Sequence, residues 1–403
     1  MKKLGLTAWI FIALVIGIVL GLVMPEQAKL LKVVSTVFIN LIKSIVAPLL
    51  FATLVVAWTH AAPKDMARIF TKAFIYFEVV TTLALFIGLG FVNWIQPGVG
   101  VKQPEKTAIS ETDRKRAAEN KVTADGIIVH AFPTSVVKSM AENDVLQLVV
   151  FCMLFGMSCM AIGEKAKPVV EFCESLAQVM FKYTHYVMYM APFGVGAAMA
   201  YTVGVNGVAV LWNLGQLVGT MFAALAFFVI VVLGAVLLLF RIPIPQFIAA
   251  AKDPYVLAFS TASSEAALPM ALENMEKFGV PKHIVSFVMP MGYSLNLDGS
   301  TLYLAAASIF VAQAAGHPLA FGTQLAMMLT LMLTSKGVAA VPRASLVILM
   351  GTLTTFDLPD WPVGLILGVD AILDMARTSV NLLGNCLATA VIARWEGHKF
   401  ANE

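Results

Sequence analysis

An all-α polytopic membrane protein is the fold class that the 403-residue sequence predicts, and three observations predict it. Hydrophobic residues make up 59% of the chain and charged residues 13%, against roughly 25% charged in a soluble domain. The mean hydropathy is +0.85. Apolar runs long enough to cross roughly 30 Å of hydrocarbon as helices recur along the chain. The net charge of +3 is too small over this length to suggest nucleic acid, and no basic patch interleaved with aromatics supports one.

The elements follow in order. Residues 4–24 form a run too long for the apolar part of a signal peptide, and no small-residue cleavage site precedes Pro25, so the run reads as a retained first helix. Further spans are expected at 33–58, 73–95, 145–163, 169–203 and 208–240. The charge-mixed stretch 96–144, which holds KQPEK and ETDRKRAAENK, reads as an exposed loop. From Pro245 onward the apolar runs are repeatedly broken by Gly, Pro, Ser and Thr. Lys64, Arg68 and Lys72, then Lys165 and Lys167, then Arg241 and Lys252 occupy alternate connections. By the positive-inside rule these connections and the amino terminus, with Lys2 and Lys3, are cytoplasmic, and the long loop is extracellular. Cys152, Cys159, Cys173 and Cys386 lie in or beside apolar stretches without metal-ligand spacing and read as buried small hydrophobes. The six histidines are scattered, most of them near helix ends, and no Ser/His or metal-binding constellation supports an enzyme.

Two segments of the broken region match without gaps: TASSEAALP at 261–269 and TSKGVAAVP at 334–342. Irregular backbone at membrane depth is tolerated only where protein or a watery cavity satisfies its N–H and C=O groups. Paired interrupted segments therefore read as the tips of two re-entrant hairpins, whose helix ends aim partial charge at a solute. The alternative is close small-residue helix packing.

The last helix carries the expensive groups. Asp370, Asp374, Arg377, Asn381 and Asn385 are spaced four, three, four and four, which places all five on one helical face. An Arg at a helix centre costs on the order of 3 kcal/mol to insert, so it faces a cavity and pairs with something. Arg377 offers a planar fork for a carboxylate, and Asp374 can accept from an ammonium group; the alternative is that the two neutralise each other. In MPMGYSLNLDGS, Pro290, Gly292 and Gly299 predict that a helix unwinds around Asn296 and Asp298. Free carbonyls, amides and a carboxylate there suit a hard cation, and a cation is needed to draw an anion inward against the membrane potential.

TASSEAALP, NLDGS, GVAAVPRAS and DAILDMARTSVNLLGN together resemble the glutamate transporter homologues, the dicarboxylate/amino acid:cation symporters, over essentially the whole chain. The resemblance implies eight transmembrane helices and two re-entrant hairpins built as inverted repeats, and a homotrimer whose transport domains move as elevators against a scaffold. Residues 1–72 would hold scaffold helices 1 and 2, 73–95 transport helix 3, 96–144 the extracellular loop, and 145–207 scaffold helices 4 and 5. Residues 208–240 would be transport helix 6, 245–280 hairpin 1, 282–315 helix 7, 319–357 hairpin 2, and 360–403 helix 8 with a cytoplasmic tail.

Carried over by position, the resemblance implies that Arg377 binds a substrate carboxylate and Asp374 its amino group. Thr378, Asn381, Ser300, Ser264 and Val341 would complete the pocket. One cation site would use Gly292, Asn296, Asn381 and Asn385; a second Ser294, Ser335, Lys336 and Val338; a third Thr81, Thr82, Asn296 and Asp298. No cofactor is implied beyond the coupling ions, Na+ or H+ or both. The expected partners are a small acidic solute, membrane lipid and further copies of the chain.

The chain departs from the family pattern at several positions. Asn385 stands where sodium-coupled members carry Asp, and Glu78 where they carry Tyr. A carboxyl buried near Thr81 and Thr82 is a candidate proton carrier, unless it pairs with Lys43 or snorkels; Glu265 in the first tip is a second candidate. Leu304 replaces the proton-binding Glu of animal members, and Arg343 replaces an uncharged residue. Glu78, Glu265 and Asn385 resemble the branch that imports succinate, fumarate and malate. That branch lacks an acid at the place of Asp374, which would face a dicarboxylate as an uncompensated charge. L-Glutamate or L-aspartate is therefore the expected substrate, and C4-dicarboxylates the alternative.

Overall fold

A computed structural model describes residues 6–59, 67–101, 132–142, 145–207, 209–335, 344–398 and 400, and the regular structure among them is entirely helical. The amino-terminal half holds α1 (Leu6–Val23), a short α2 (Pro25–Leu30), α3 (Lys32–Thr59), α4 (Ala67–Ile95), a short α5 (Val136–Glu142) and α6 (Val145–Ile162). The long helices agree with the expected spans to within a few residues. Of the expected loop 96–144, residues 102–131 and 143–144 lie outside the described residues.

The expected single span at 169–203 is corrected. It divides into α7 (Lys167–Tyr189) and α8 (Ala191–Asn206), bent by 49° at Met190. Pro192, in the first turn of α8, has no N–H to continue the ladder of α7. Hydropathy is blind to this break because proline and its neighbours are apolar.

Next come α9 (Ala209–Phe227), which runs through a wide π turn at Phe228–Leu233 into α10 (Gly234–Leu239), and then α11 (Ile244–Thr261) and α12 (Ser264–Phe278). Helices α11 and α12 fold back on each other. Ala262 adopts the left-handed conformation, φ +49°, which stops α11, and Ser263 is extended and caps α12 by accepting from the Ala266 N–H at 3.3 Å. Asn274 donates to the Ala250 carbonyl at 2.9 Å and ties the two arms. The first matched segment is thus a helix–turn–helix tip. The second is flanked by α15 (Phe321–Thr334) and α16 (Ala344–Thr355), which also touch, while its residues 336–342 lie outside the described ones.

Between the two pairs, α13 (Lys282–Leu295) and α14 (Asp298–Ala314) are separated by an unwound Asn296–Leu297, as the Pro and Gly pattern predicts. The last helix, α17 (Val363–Trp395), is the hub and packs on α8, α9, α11, α12, α13 and α14. α14 is buried over nearly its whole length.

Among the described residues, four helical segments are long and apolar enough to cross a membrane: Pro25–Val56, Arg68–Ile95, Ala209–Leu239 and Lys282–Ala314; the bent pair around Met190 makes a fifth when counted as one span. α1 crosses α8 backbone to backbone, because a Cβ at Gly17 would overlap the Gly196 carbonyl and one at Gly21 would crowd Ala200 and Val203. Small residues four apart are what bring apolar helices together in lipid, where no hydrophobic drive separates side chain from solvent. The outer faces keep large apolar side chains exposed, among them Val15, Ile16 and Val19 on α1 and Leu238 and Leu239 on α10.

Candidate functional site

The polar stripe of α17 faces inward. Asp370, Asp374, Arg377, Asn381 and Asn385 are each buried, and Arg377 is 1% exposed. A buried guanidinium must be paired, and this one is held on three sides. Its Nη1 donates to Asp370 Oδ1 at 3.0 Å, and its Nη2 lies 2.8 Å from Asp374 Oδ1. Its plane stacks on the Tyr303 ring, 4.1 Å from the centroid, and the Tyr303 hydroxyl donates to the same Asp370 oxygen at 3.1 Å. Tyr303 carries no local sequence signal for this role, because α14 and α17 meet only in the fold. Asp370 and Arg377 are both legible in the spacing of the stripe, whereas the Tyr303 hydroxyl that also bonds Asp370 is not.

The start of α14 lies directly on α17. A Cβ at Gly299 would overlap the backbone of Arg377, so only glycine lets the two helices approach this closely. That approach sets Ser300 against Asn381: the Ser300 N–H donates to Asn381 Oδ1 at 3.1 Å, and Asn381 Nδ2 donates to the Ser300 hydroxyl at 2.9 Å. Thr378 is buried on the same helix. The Ser264 carbonyl, at the first hairpin tip, accepts from the Tyr293 hydroxyl at 2.9 Å and anchors the tip to α13. Val341 lies outside the described residues. The structure therefore brings together Ser300, Asp374, Arg377, Thr378 and Asn381 from one helix and the helix start laid on it.

Of the expected cation ligands, Asn296, Asn385 and Asp298 converge at the unwound segment. Asn296 Nδ2 donates to Asp298 Oδ2 at 3.1 Å and to Asn385 Oδ1 at 3.0 Å. A Cβ at Gly292 would overlap Asn385 Oδ1, and one at Gly384 would overlap Asp298 Oδ2. The Gly292 carbonyl accepts from the Asn296 N–H at 2.8 Å, and Asn381 is turned to Ser300. Thr81 is buried on α4, whereas the Thr82 hydroxyl donates to the Glu78 carbonyl at 2.6 Å and reaches the Met332 sulfur of α15 at 3.3 Å. Glu78 itself is half-buried, and Lys43 pairs with Asp360 at 2.5 Å. Ser335 is buried at the end of α15, while Lys336, Val338 and Arg343, like the side chains of Ser294 and Glu265, lie outside what is described.

The chemistry of this donor set fits a hard cation. Thr81 Oγ1 and Asn296 Oδ1 are buried oxygens with no hydrogen-bond partner among the described residues, and the wholly buried carboxylate of Asp298 adjoins Asn296. Neutral oxygens around a carboxylate are what such an ion takes in place of its water.

Several apolar helices, one of them broken at Asn296, and a paired buried guanidinium near an oxygen-rich cluster are the features of a membrane carrier for a charged solute. The chain belongs to the sodium:dicarboxylate symporter family, which it matches over residues 6–395. It is 44% identical to the proton/sodium-glutamate symport protein of Geobacillus stearothermophilus, over 98% of this chain and 96% of that one. It is 42% identical to the proton/glutamate-aspartate symporter of Escherichia coli (strain K12), over 99% and 94%. The C4-dicarboxylate transport protein of Agrobacterium fabrum is 40% identical over 96% and 87%.

Proposed function

We propose that this protein is a secondary active importer of L-glutamate or L-aspartate, driven by sodium ions, protons or both. The observation that carries the choice of substrate is that one guanidinium, Arg377, is shared by two buried carboxylates, Asp370 and Asp374. With all three charged, the cluster is one negative charge in excess. An acidic amino acid brings its own cation: its side-chain carboxylate takes Asp374's place on Arg377, Asp370 keeps the guanidinium in position, and the freed Asp374 receives the ammonium group. A dicarboxylate brings two negative charges and no ammonium, leaving Asp374 facing like charge in a desolvated site. Relatives named as C4-dicarboxylate transport proteins nevertheless match at 37–40% identity, which keeps dicarboxylate import as the second reading.

In this reading Ser300, Thr378 and Asn381, with backbone at Ser264 and Val341, complete the substrate pocket. The oxygens of Thr81, Thr82, Asn296, Asp298, Gly292, Asn385 and the Ser335 region, with Ser294, Lys336 and Val338, serve the cations, and Glu78 or Glu265 carries a proton. Residues 1–72 and 145–207 form a scaffold that trimerises in the cell membrane. Residues 73–95 and 208–403 form the moving domain, with eight transmembrane helices and two re-entrant hairpins in all and both termini cytoplasmic. The burial of α14 and the central position of α17 support this division.

The test is uptake of radiolabelled aspartate, glutamate and succinate into proteoliposomes with sodium and proton gradients imposed separately. Accumulation of an amino acid under either gradient is expected. Accumulation of succinate alone overturns the substrate assignment, and accumulation driven by sodium alone removes the proton role of Glu78.

A further inference from the structure

One buried oxygen in the neighbourhood of Asp298 has no role in the sequence pattern. Tyr76 lies on α4, is 5% exposed, and its hydroxyl has no hydrogen-bond partner among the described residues. Its charged neighbour is Asp298. A buried hydroxyl without a partner is destabilising, and phenylalanine would fill the same space without that penalty. Tyr76 therefore calls for a partner that the described residues do not supply.

The surroundings indicate what that partner is. α4 and α14 run parallel in close contact: a Cβ at Gly88 would overlap the Leu302 carbonyl, and one at Gly98 would overlap that of Phe310. This register sets Thr81 level with the break at Asn296, and Thr81 Oγ1 and Asn296 Oδ1 are the other buried oxygens lacking partners there. Two unpartnered oxygens on α4 and one in the unwound break, next to one buried carboxylate, suit a single cation. We propose that the Tyr76 hydroxyl is a ligand of the coupling cation held at Asp298, Asn296 and Thr81, and that it sets the affinity for that ion. The proposal rests on the cation-coupled reading above and adds a residue to it.

The experiment uses the purified full-length protein in detergent, without substrate. Its thermal midpoint is followed against sodium chloride, with choline chloride holding the ionic strength constant, and aspartate binding is measured at saturating sodium. Tyr76→Phe is expected to raise the midpoint without sodium, because the unpartnered hydroxyl is gone. It is also expected to raise the sodium concentration for half-maximal stabilisation about tenfold, the scale of a lost metal contact. Aspartate affinity at saturating sodium should stay within about twofold. Thr81→Val, which removes a second oxygen from the same pocket, should shift the sodium curve in the same direction and keeps the test decisive if the first variant folds poorly. A Tyr76→Phe protein that is less stable without sodium, yet follows the wild-type sodium curve, has lost a structural hydroxyl, and the proposal is overturned. A wild type indifferent to sodium overturns it too, and with it the sodium reading of the whole site; that result is distinguishable because it appears before any substitution is made.

Discussion

Arg377 and Asp374, one turn apart on α17, lie 2.8 Å from each other in the buried centre of the protein, while Asp370 holds the other arm of the same guanidinium at 3.0 Å. The pair is therefore redundant as a neutralising device, and Asp374 can be given up without orphaning the arginine. Asp374→Ala is expected to fold and to lose aspartate affinity by about 30-fold or more, from the roughly 2–5 kcal/mol that truncating one side of a buried charge pair costs. Succinate uptake should be gained or unchanged. Arg377→Ala differs, since it strands two buried carboxylates and should destabilise the protein by about 3–5 kcal/mol. Calorimetric binding and thermal unfolding of the two variants check both statements; equal destabilisation would mean that Asp370 alone does not hold the guanidinium.

Tyr303 supports Arg377 twice, through its ring face and through its hydroxyl on Asp370. Substitution separates the two contributions. Tyr303→Phe keeps the stacking and loses one hydrogen bond, about 1 kcal/mol, so substrate affinity should fall about fivefold. Tyr303→Leu loses the stacking as well, which for a desolvated cation adds roughly 1–2 kcal/mol. Titration at fixed sodium compares them, and identical affinities would show that the ring face contributes nothing.

What the sequence made legible follows from local physics. The broken helix at Asn296 and the tip at Ala262 were announced by Pro, Gly and small residues that change backbone preference on the spot. The inward stripe of α17 was announced by spacing alone, because any helix repeats every 3.6 residues. The bend at Met190 was lost inside an apolar run. Tyr303 and Tyr76 were missed because their roles depend on which helix lies opposite, and a tyrosine in an apolar stretch is normally packing. The close approach of Gly384 to Asp298 became visible only when its neighbour across the helix interface was known.

Gly384 gives a prediction from close packing. A Cβ there would overlap Asp298 Oδ2, whereas one at Gly90, also helical, meets nothing within 4 Å. Gly384→Ala should cost about 1–3 kcal/mol by overpacking and displace the carboxylate of the cation pocket, raising the sodium requirement. Gly90→Ala should be neutral or stabilise by up to about 1 kcal/mol, the ordinary helix preference for alanine. Paired thermal midpoints with and without sodium distinguish a specific clash from a general intolerance of added volume.

Glu396, just beyond α17, closes the far end of the same helix onto α4. It pairs with Lys72 at 2.7 Å and with Arg68. The hydrogen bond from Lys72, followed by that from Arg68, holds the Glu396 carboxyl below the usual carboxylate range. A lowered native value means that the folded protein binds the proton less readily than the unfolded chain, so the stabilisation is complete above the ordinary glutamate range and is lost as pH falls through the depressed value. Glu396→Gln should therefore unfold at a lower temperature than wild type at pH 7, and the gap should close below about pH 4, since an unperturbed glutamate titrates near 4.3. Thermal unfolding across that interval decides it: a gap that stays constant down to acid pH would show that the side chain acts through packing and that its charge is idle.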